Sequence, residues 1–432
     1  MSRVLVDSGI KWIGTLPNTW SITTVNKIFY RRKEVNDVEN PTVLSLTRDG
    51  VKIRDISTNE GQLAESYDNY HKVYKDDLMI NPMDLISGAN CSLSEVEGVI
   101  SPAYINLAKK ENVYPKYYDY FFKYQYWINA MFIHGKGVSF DNRWTMNWET
   151  MSSYKLPFPK YEEQKRIADY LDKQCSKIDK IINDNNKEIE LLEEYKKTMV
   201  FKLTTKGFNN KNDKDSNIKW IGNIPNNWKM MKAKNIFNVI TDYVASGSFG
   251  DLAKNVKYYD DENYARLIRT MDVSNKYKEV QPVYIDEHAY NYLHNSNLFG
   301  GEIILPNIGA SVGDVYIVPN LYKKMSLAPN SVMVKSNYND KYYYYLFYCN
   351  AGRMSLINIS ESTAQPKFNK TQFRSMKLPV PPIGEQKMIV EYLDVQCFKL
   401  DQVINYRKQI IEKLEEYKKS LIYEYVTGKR EV

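Results

Sequence analysis

The sequence predicts an α+β protein: two mixed α/β domains, each followed by a long helix, with the two helices pairing as a coiled coil. Three observations predict this. The chain repeats two blocks, each present twice. One block of each copy opens into a long stretch free of proline and glycine that carries a heptad pattern. The segments between the blocks hold short β-forming runs punctuated by glycine and proline.

The first block is Ser8-Gly9-Ile10-Lys11-Trp12-Ile13-Gly14-Thr15-Leu16-Pro17-Asn18-Thr19-Trp20, which returns as Ser216 to Trp228 at an offset of 208 residues. The second starts at Leu156-Pro157-Phe158-Pro159 and returns at Leu378-Pro379-Val380-Pro381, an offset of 222. Within it Glu163-Gln164-Lys165 matches Glu385-Gln386-Lys387, and Tyr170-Leu171-Asp172 matches Tyr392-Leu393-Asp394. Leu192-Glu193-Glu194-Tyr195-Lys196-Lys197 matches Leu414 to Lys419, still without a gap. A tandem duplication therefore frames two dissimilar segments, about 21–155 and 229–377. Two long units do not make a solenoid.

Each second block reads as a long helix. The 4-3 spacing from Leu171 passes through Cys175, Ile178, Ile182, Asn185, Ile189, Leu192, Lys196, Met199 and Leu203. From Leu393 it passes through Cys397, Leu400, Ile404, Arg407, Ile411, Leu414, Lys418, Leu421 and Tyr425. Eight positions of ten are apolar in each copy, the signature of a coiled-coil seam, and the polar interruptions fall at matching places. The seam is expected to rest on Leu171, Ile178, Ile182, Ile189 and Leu192, facing Leu393, Leu400, Ile404, Ile411 and Leu414. Two amphipathic helices packed separately on their own domains are the alternative.

The 432 residues carry a net charge of +7. Residues 162–206 hold ten basic and ten acidic residues and residues 384–426 seven and eight, so the positive excess lies outside the helices. That distribution suits a polyanion. Four cysteines and four histidines lie scattered, with no metal-ligand spacing, so a structural metal site is not expected. Met1 to Gly9 shows no leader pattern, and no run of 18 apolar residues exists. A cytoplasmic protein with reduced thiols is the expectation.

The ordered double pattern resembles the specificity subunit of type I restriction–modification systems: a Trp-Ile-Gly…Pro…Trp element, a variable segment, a Pro-rich patch, Glu-Gln-Lys, a long helix, then all of it again. The resemblance covers nearly the whole chain. It implies target-recognition domains at 1–160 and 208–382, and spacer helices at 161–207 and 383–432 that pair antiparallel as a ruler. It implies a two-part, gapped double-stranded DNA target, two methyltransferase subunits, and restriction/translocase subunits that could join them. S-adenosylmethionine and ATP would belong to those partners, and this chain would need no cofactor and perform no catalysis. A helical scaffold that spans partners without DNA is the alternative, and it would lack salt-dependent DNA affinity.

Inside the variable segments, Asp77–Asp84, Gly98–Tyr104, Gly301–Pro306 and Gly309–Gly313 stand at places comparable with recognition-domain landmarks. The aromatic patches Tyr117–Trp127 and Tyr342–Tyr348 read as core. Base edges are matched best by Arg, Lys, Asn and Gln. The candidate DNA contacts are Arg48, Arg54, Lys136 and Arg143 in the first segment, and Arg266, Arg269, Lys367 and Arg374 in the second. Glycines flanking Lys136 would let backbone approach a phosphate. Arg31-Arg32-Lys33 fits phosphate contact or solubility. For each of these cations the plain alternative is a solvated charge or a salt bridge. Asn81-Pro82-Met83 only partly matches an adenine-methyltransferase motif, and Gly247-Ser248-Phe249-Gly250 is a weak glycine loop.

Overall fold

The computed structural model describes residues 3–57, 64–83, 85, 91–137, 144–208, 213–274, 280–360 and 365–432. It contains two compact units, Met1–Asn185 with Lys408–Val432, and Asn186–Arg407. The division falls inside the long helices, not at their ends, so each helix contributes one half to each unit.

The first unit is built on an antiparallel sheet ordered Phe29–Arg31, Ile105–Lys109, Leu78–Ile80, Cys91–Leu93, with Ile105 opposite Ile80 and Leu107 opposite Leu78. The second repeats that order with Phe237–Asp242, Ser331–Ser336, Ile303–Pro306 and Tyr316–Ile317. Leu78–Ile80 and Ile303–Pro306 are buried throughout, which is why they read as unbroken apolar runs rather than alternating ones. A helix then packs on each sheet. Pro115–Trp127 starts with proline, whose fixed φ suits a first helical position, and Asp340–Tyr348 is capped by the Asn339 side chain. Tyr117, Tyr118, Tyr342 and Tyr343 are each fully buried, so both aromatic patches are core. The second unit carries a further four-stranded sheet, in which Ala265–Ile268 runs parallel to Met325–Leu327.

The repeated blocks build an identical frame in each unit. Lys155–Phe158 pairs with Ser21–Thr24, and Lys377–Val380 with Lys229–Lys232, so the end of each variable segment is tied to its beginning. Gly14 and Gly222 take φ +69° and +66°, a turn conformation that a Cβ disfavours, which explains the repeated Trp-Ile-Gly. Trp20 Nε1 donates to Glu163 Oε2 at 2.9 Å, and Trp228 Nε1 to Glu385 Oε2 at 2.9 Å. Gln164 Nε2 donates to the Pro159 carbonyl (2.9 Å) and its Oε1 accepts from the Tyr114 amide (2.8 Å). Gln386 does the same with Pro381 (2.8 Å) and Asn339 (3.2 Å). Glu-Gln-Lys is thus a structural joint between variable segment and helix.

The helices run Tyr161–Lys206 and Ile383–Val426. Pro159 and Pro382 precede them, and Glu162, Glu163 and Glu385 in their first turns favour the positive end of the helix dipole. Gly207 (φ +64°) and Gly428 (φ +69°) follow their ends in the left-handed conformation common after helix C-termini.

Pairing is antiparallel in both units. In the first, Tyr170 meets Tyr425 with ring centroids 4.6 Å apart, and Lys418 Nζ meets Asp179 at 2.6 Å. In the second, Arg407 pairs with Glu188, and Lys196 Nζ meets Asp401 at 2.7 Å. All ten predicted seam residues are buried or half-buried: Leu171, Ile178, Ile189, Leu393 and Ile404 fully, Ile182, Leu192, Leu400, Ile411 and Leu414 partly. Of the polar interruptions, Lys196, Arg407 and Lys418 reach an acid on the other helix. Asn185 turns back to bond the Ile181 carbonyl at 2.8 Å. No helix among the described residues is long and apolar enough to cross a membrane.

Candidate nucleic-acid interface

The candidate cations fall into three groups. Arg48 is exposed on the turn of the hairpin formed by Leu44–Thr47 and Gly50–Ile53. Arg54 follows the same hairpin, half-buried, with its amide bonded to the Val43 carbonyl at 2.8 Å. Arg48 and Arg54 therefore belong to one element.

A second group lies on the loop before each closing helix. The backbone of Lys136 pairs with that of Thr145 at 2.7 and 3.0 Å, leaving its side chain exposed. Arg143 lies outside the described residues, as does Asp84. In the second unit Lys367 pairs with Ile308, and the Gly309 amide donates to the Pro366 carbonyl at 2.9 Å. The structure thus joins Gly309–Gly313 to the Gln365–Asn369 loop, two stretches over 50 residues apart in sequence.

These loops correspond between units. The Met146 amide donates to Pro82 O (2.9 Å), and the Phe368 amide to Asn307 O (3.1 Å). Asn147 caps the helix Trp148–Ser152 and Asn369 caps Lys370–Ser375. The 222-residue offset of the repeat thus extends back through loops whose sequences differ. Arg374, exposed at the end of the second closing helix, donates to the Ile240 carbonyl at 3.4 Å.

Arg266 and Arg269 form the third group, and both are engaged internally. Asp272, whose side chain is buried, accepts from Arg266 Nη2 (3.0 Å), Arg269 Nε (2.9 Å) and the Arg269 amide (2.8 Å). Burial alone would raise the Asp272 pKa, but the bonds from Arg269 and Arg266 hold it below the ordinary carboxylate value. Asp272 is not conspicuous in the sequence, because nothing local marks one acid among many as buried.

Other sequence signals resolve as structural. Gly135 is glycine because a Cβ there would collide with the Trp144 indole, a packing reason rather than access for a phosphate. Arg32 is bonded to Asp77 at 2.9 and 3.3 Å and lies over the Tyr74 ring. Arg31 lies over Trp148. His71, which no sequence signal singled out, has its pKa lowered by burial and by the nearby charges of Arg31 and Lys33. Asn81 spends its side chain on the Met83 amide (3.0 Å) and its carbonyl on Tyr126 Oη (2.6 Å), so it forms a turn rather than a catalytic motif. Ser248 caps the short helix Phe249–Asn255. All four cysteines are buried and free, and the described residues hold no His/Cys/Asp/Glu group able to bind a metal.

Two mixed modules on one duplicated antiparallel helix pair define the class of protein, and known proteins agree. Residues 99–191 and 225–427 match the type I restriction modification DNA specificity domain. The chain is 25% identical over 377 residues to the type I restriction enzyme MjaVIII specificity subunit of Methanocaldococcus jannaschii, covering 83% of this chain and 81% of that one. It is 29% identical over 296 residues to the MjaX specificity subunit of the same organism, covering 67% of this chain but only 62% of that relative. Among solved structures, a chain from a study of type I restriction–modification complex assembly superposes with a TM-score of 0.72 at 12% identity, covering 96% and 99% of the two chains. The HsdS subunit from Thermoanaerobacter tengcongensis gives 0.50 at 13% identity, covering 96% and 98%. The chain belongs to the type I restriction–modification DNA specificity family.

Proposed function

We propose that this chain is the DNA-recognition subunit of a type I restriction–modification complex, and that each unit reads one half of a two-part, gapped double-stranded target. The paired helices set the gap and dock two methyltransferase subunits, and restriction/translocase subunits join that assembly in the cytoplasm. S-adenosylmethionine and ATP are handled by those partners, while this chain performs no chemistry. One observation carries the reading: two dissimilar modules are mounted through the same joints, Trp20–Glu163 and Trp228–Glu385, on helices that pair through the same contacts. A frame duplicated this faithfully around divergent faces fits a protein that holds two different readers in one fixed way. The excess positive charge outside the helices fits a polyanionic ligand. The family match favours DNA over a scaffold that spans partners without it.

The test is to map methylated bases genome-wide with and without the gene. A gapped, two-part motif that disappears with the gene supports the reading. An ungapped motif that depends on the gene, or no dependence at all, overturns it.

A further inference from the structure

In the second unit, the Asp272 side chain is shielded from solvent and is shared by two arginines. One carboxylate neutralises one guanidinium, so the trio keeps one full positive charge. That charge is held rigidly: Arg269 is fixed through Nε and Nη2 by Asp272 and through Nη2 by the Gln281 carbonyl. Hydrogen-bond donors also exceed acceptors. Arg266 Nε is buried, and neither it nor Arg269 Nη1 has a partner among the described residues.

Arg269 opens onto a cleft of about 520 Å³, whose buried lining includes Leu267 and Ala328 and whose exposed lining includes Ala310 and Asn330. Thr270 and Ser311 also line it, the Thr270 hydroxyl bonded to that of Ser331 at 3.2 Å. The loop through Ile308 and Ala310 is the one bonded to Pro366 and Lys367, so the backbone of an exposed lysine is joined to one wall of the cleft.

We propose that this cleft, with Arg269 oriented by Asp272, seats one phosphate of the DNA backbone and so fixes the register of the duplex on the second unit. The proposal rests on the DNA reading above. The recess decides between phosphate and base. A base edge lies at the bottom of a groove and needs a protruding side chain, whereas Arg269 is only 28% exposed. A phosphate protrudes from the duplex and can enter a recess that presents a fixed guanidinium. Arg266 and Arg269 are thus reassigned from base readers to a positioning site, with Arg266 holding Asp272 in its charged form.

The test uses the chain assembled with its methyltransferase, and two duplexes: the target mapped from genomic methylation, and one with the second half-site scrambled. Affinity is measured across a salt series. Arg269→Ala should weaken both duplexes by a similar factor, about tenfold for one charge-assisted contact. It should also flatten the slope of log K against log salt by about 0.9, one phosphate's worth. Arg269→Lys, which keeps the charge and loses the fork, should retain the slope and bind more weakly than wild type. Asp272→Asn should leave the slope undiminished while affinity falls, because charge is kept and orientation lost. Loss confined to the intact target would make Arg269 a base reader and overturn the proposal, as would unchanged affinity and slope in Arg269→Ala. If the wild-type complex itself shows no salt-dependent affinity, the DNA reading fails instead.

Discussion

Lys196 Nζ sits 2.7 Å from both carboxylate oxygens of Asp401, and the equivalent pair in the duplicated sequence, Lys418 and Asp179, makes the same contact at 2.6 and 2.7 Å. The 222-residue offset turns Asp179 into Asp401 and Lys196 into Lys418. Each helix therefore gives a lysine to one pair and an aspartate to the other. An antiparallel arrangement satisfies both pairs with one sequence pattern, and the lysines interrupt the apolar seam without leaving a charge unpaired.

This pairing should be measurable. Lys196→Ala is expected to cost about 1 kcal/mol, because Asp401 is 57% exposed and left in solvent rather than stranded. Lys196→Asp and Asp401→Lys should each cost stability by setting like charges together, and the exchanged double variant should recover most of that loss. Urea unfolding of the two single variants and the exchanged double variant forms a cycle, and a coupling energy of zero would show that the pair sets register without stabilising it.

The glycines after the helices should resist substitution. A Cβ on Gly428 would collide with Pro17 and Trp20, and one on Gly207 with Glu385, while both residues hold positive φ. Gly428→Ala and Gly207→Ala should each destabilise by at least 1–2 kcal/mol, about the cost of left-handed backbone alone. Thermal melts showing a loss below about 0.5 kcal/mol would contradict the packing.

Asp272 should contribute to acid sensitivity. Its folded pKa lies below the ordinary carboxylate value of 3.8, so it stabilises the fold above that pH. The contribution is lost as pH falls through the lowered folded pKa. Asp272→Asn should lower stability at pH 7 and flatten the dependence of stability on pH below about 4. Parallel wild-type and variant curves over that range would show that the two arginines do not hold the charge.

Lys367 and Arg374 remain candidates for direct reading. Arg374→Ala should weaken binding with the loss confined to the second half-site, about 1–3 kcal/mol if a base contact is removed. A uniform loss across sequences would mark a phosphate contact instead.

The helix pair as ruler gives the last expectation. Seven residues inserted after Ile189 and seven after Arg407 preserve the heptad phase and lengthen the paired segment by about 10 Å at ~1.5 Å per residue. At about 3.4 Å per base pair, the preferred gap should grow by up to about three base pairs while each half-site keeps its sequence. Methylation of a DNA library with varied gaps reads the result, and an unchanged gap in a folded, assembled variant would remove the helices as ruler.

The amino-acid sequence by itself determined the frame. Repeats, heptads and capping signals are local or periodic, so the seam residues from Leu171 to Leu192 and Leu393 to Leu414, and the helices around them, were legible along the chain. Glu-Gln-Lys was visible as a repeat, but its role as a joint to Trp20 and Trp228 was not, because that bond spans over 140 residues. Tertiary structure alone decided where the compact units divide, since each forms from the halves of two helices distant in sequence. It also decided which of the candidate cations are exposed and which are ion-paired inside the fold. Arg374 and Arg266 look alike in sequence, yet one is exposed and the other is turned inward onto Asp272. Ion pairing depends on which acid the fold brings within about 3 Å, a through-space relation that neither composition nor periodicity encodes.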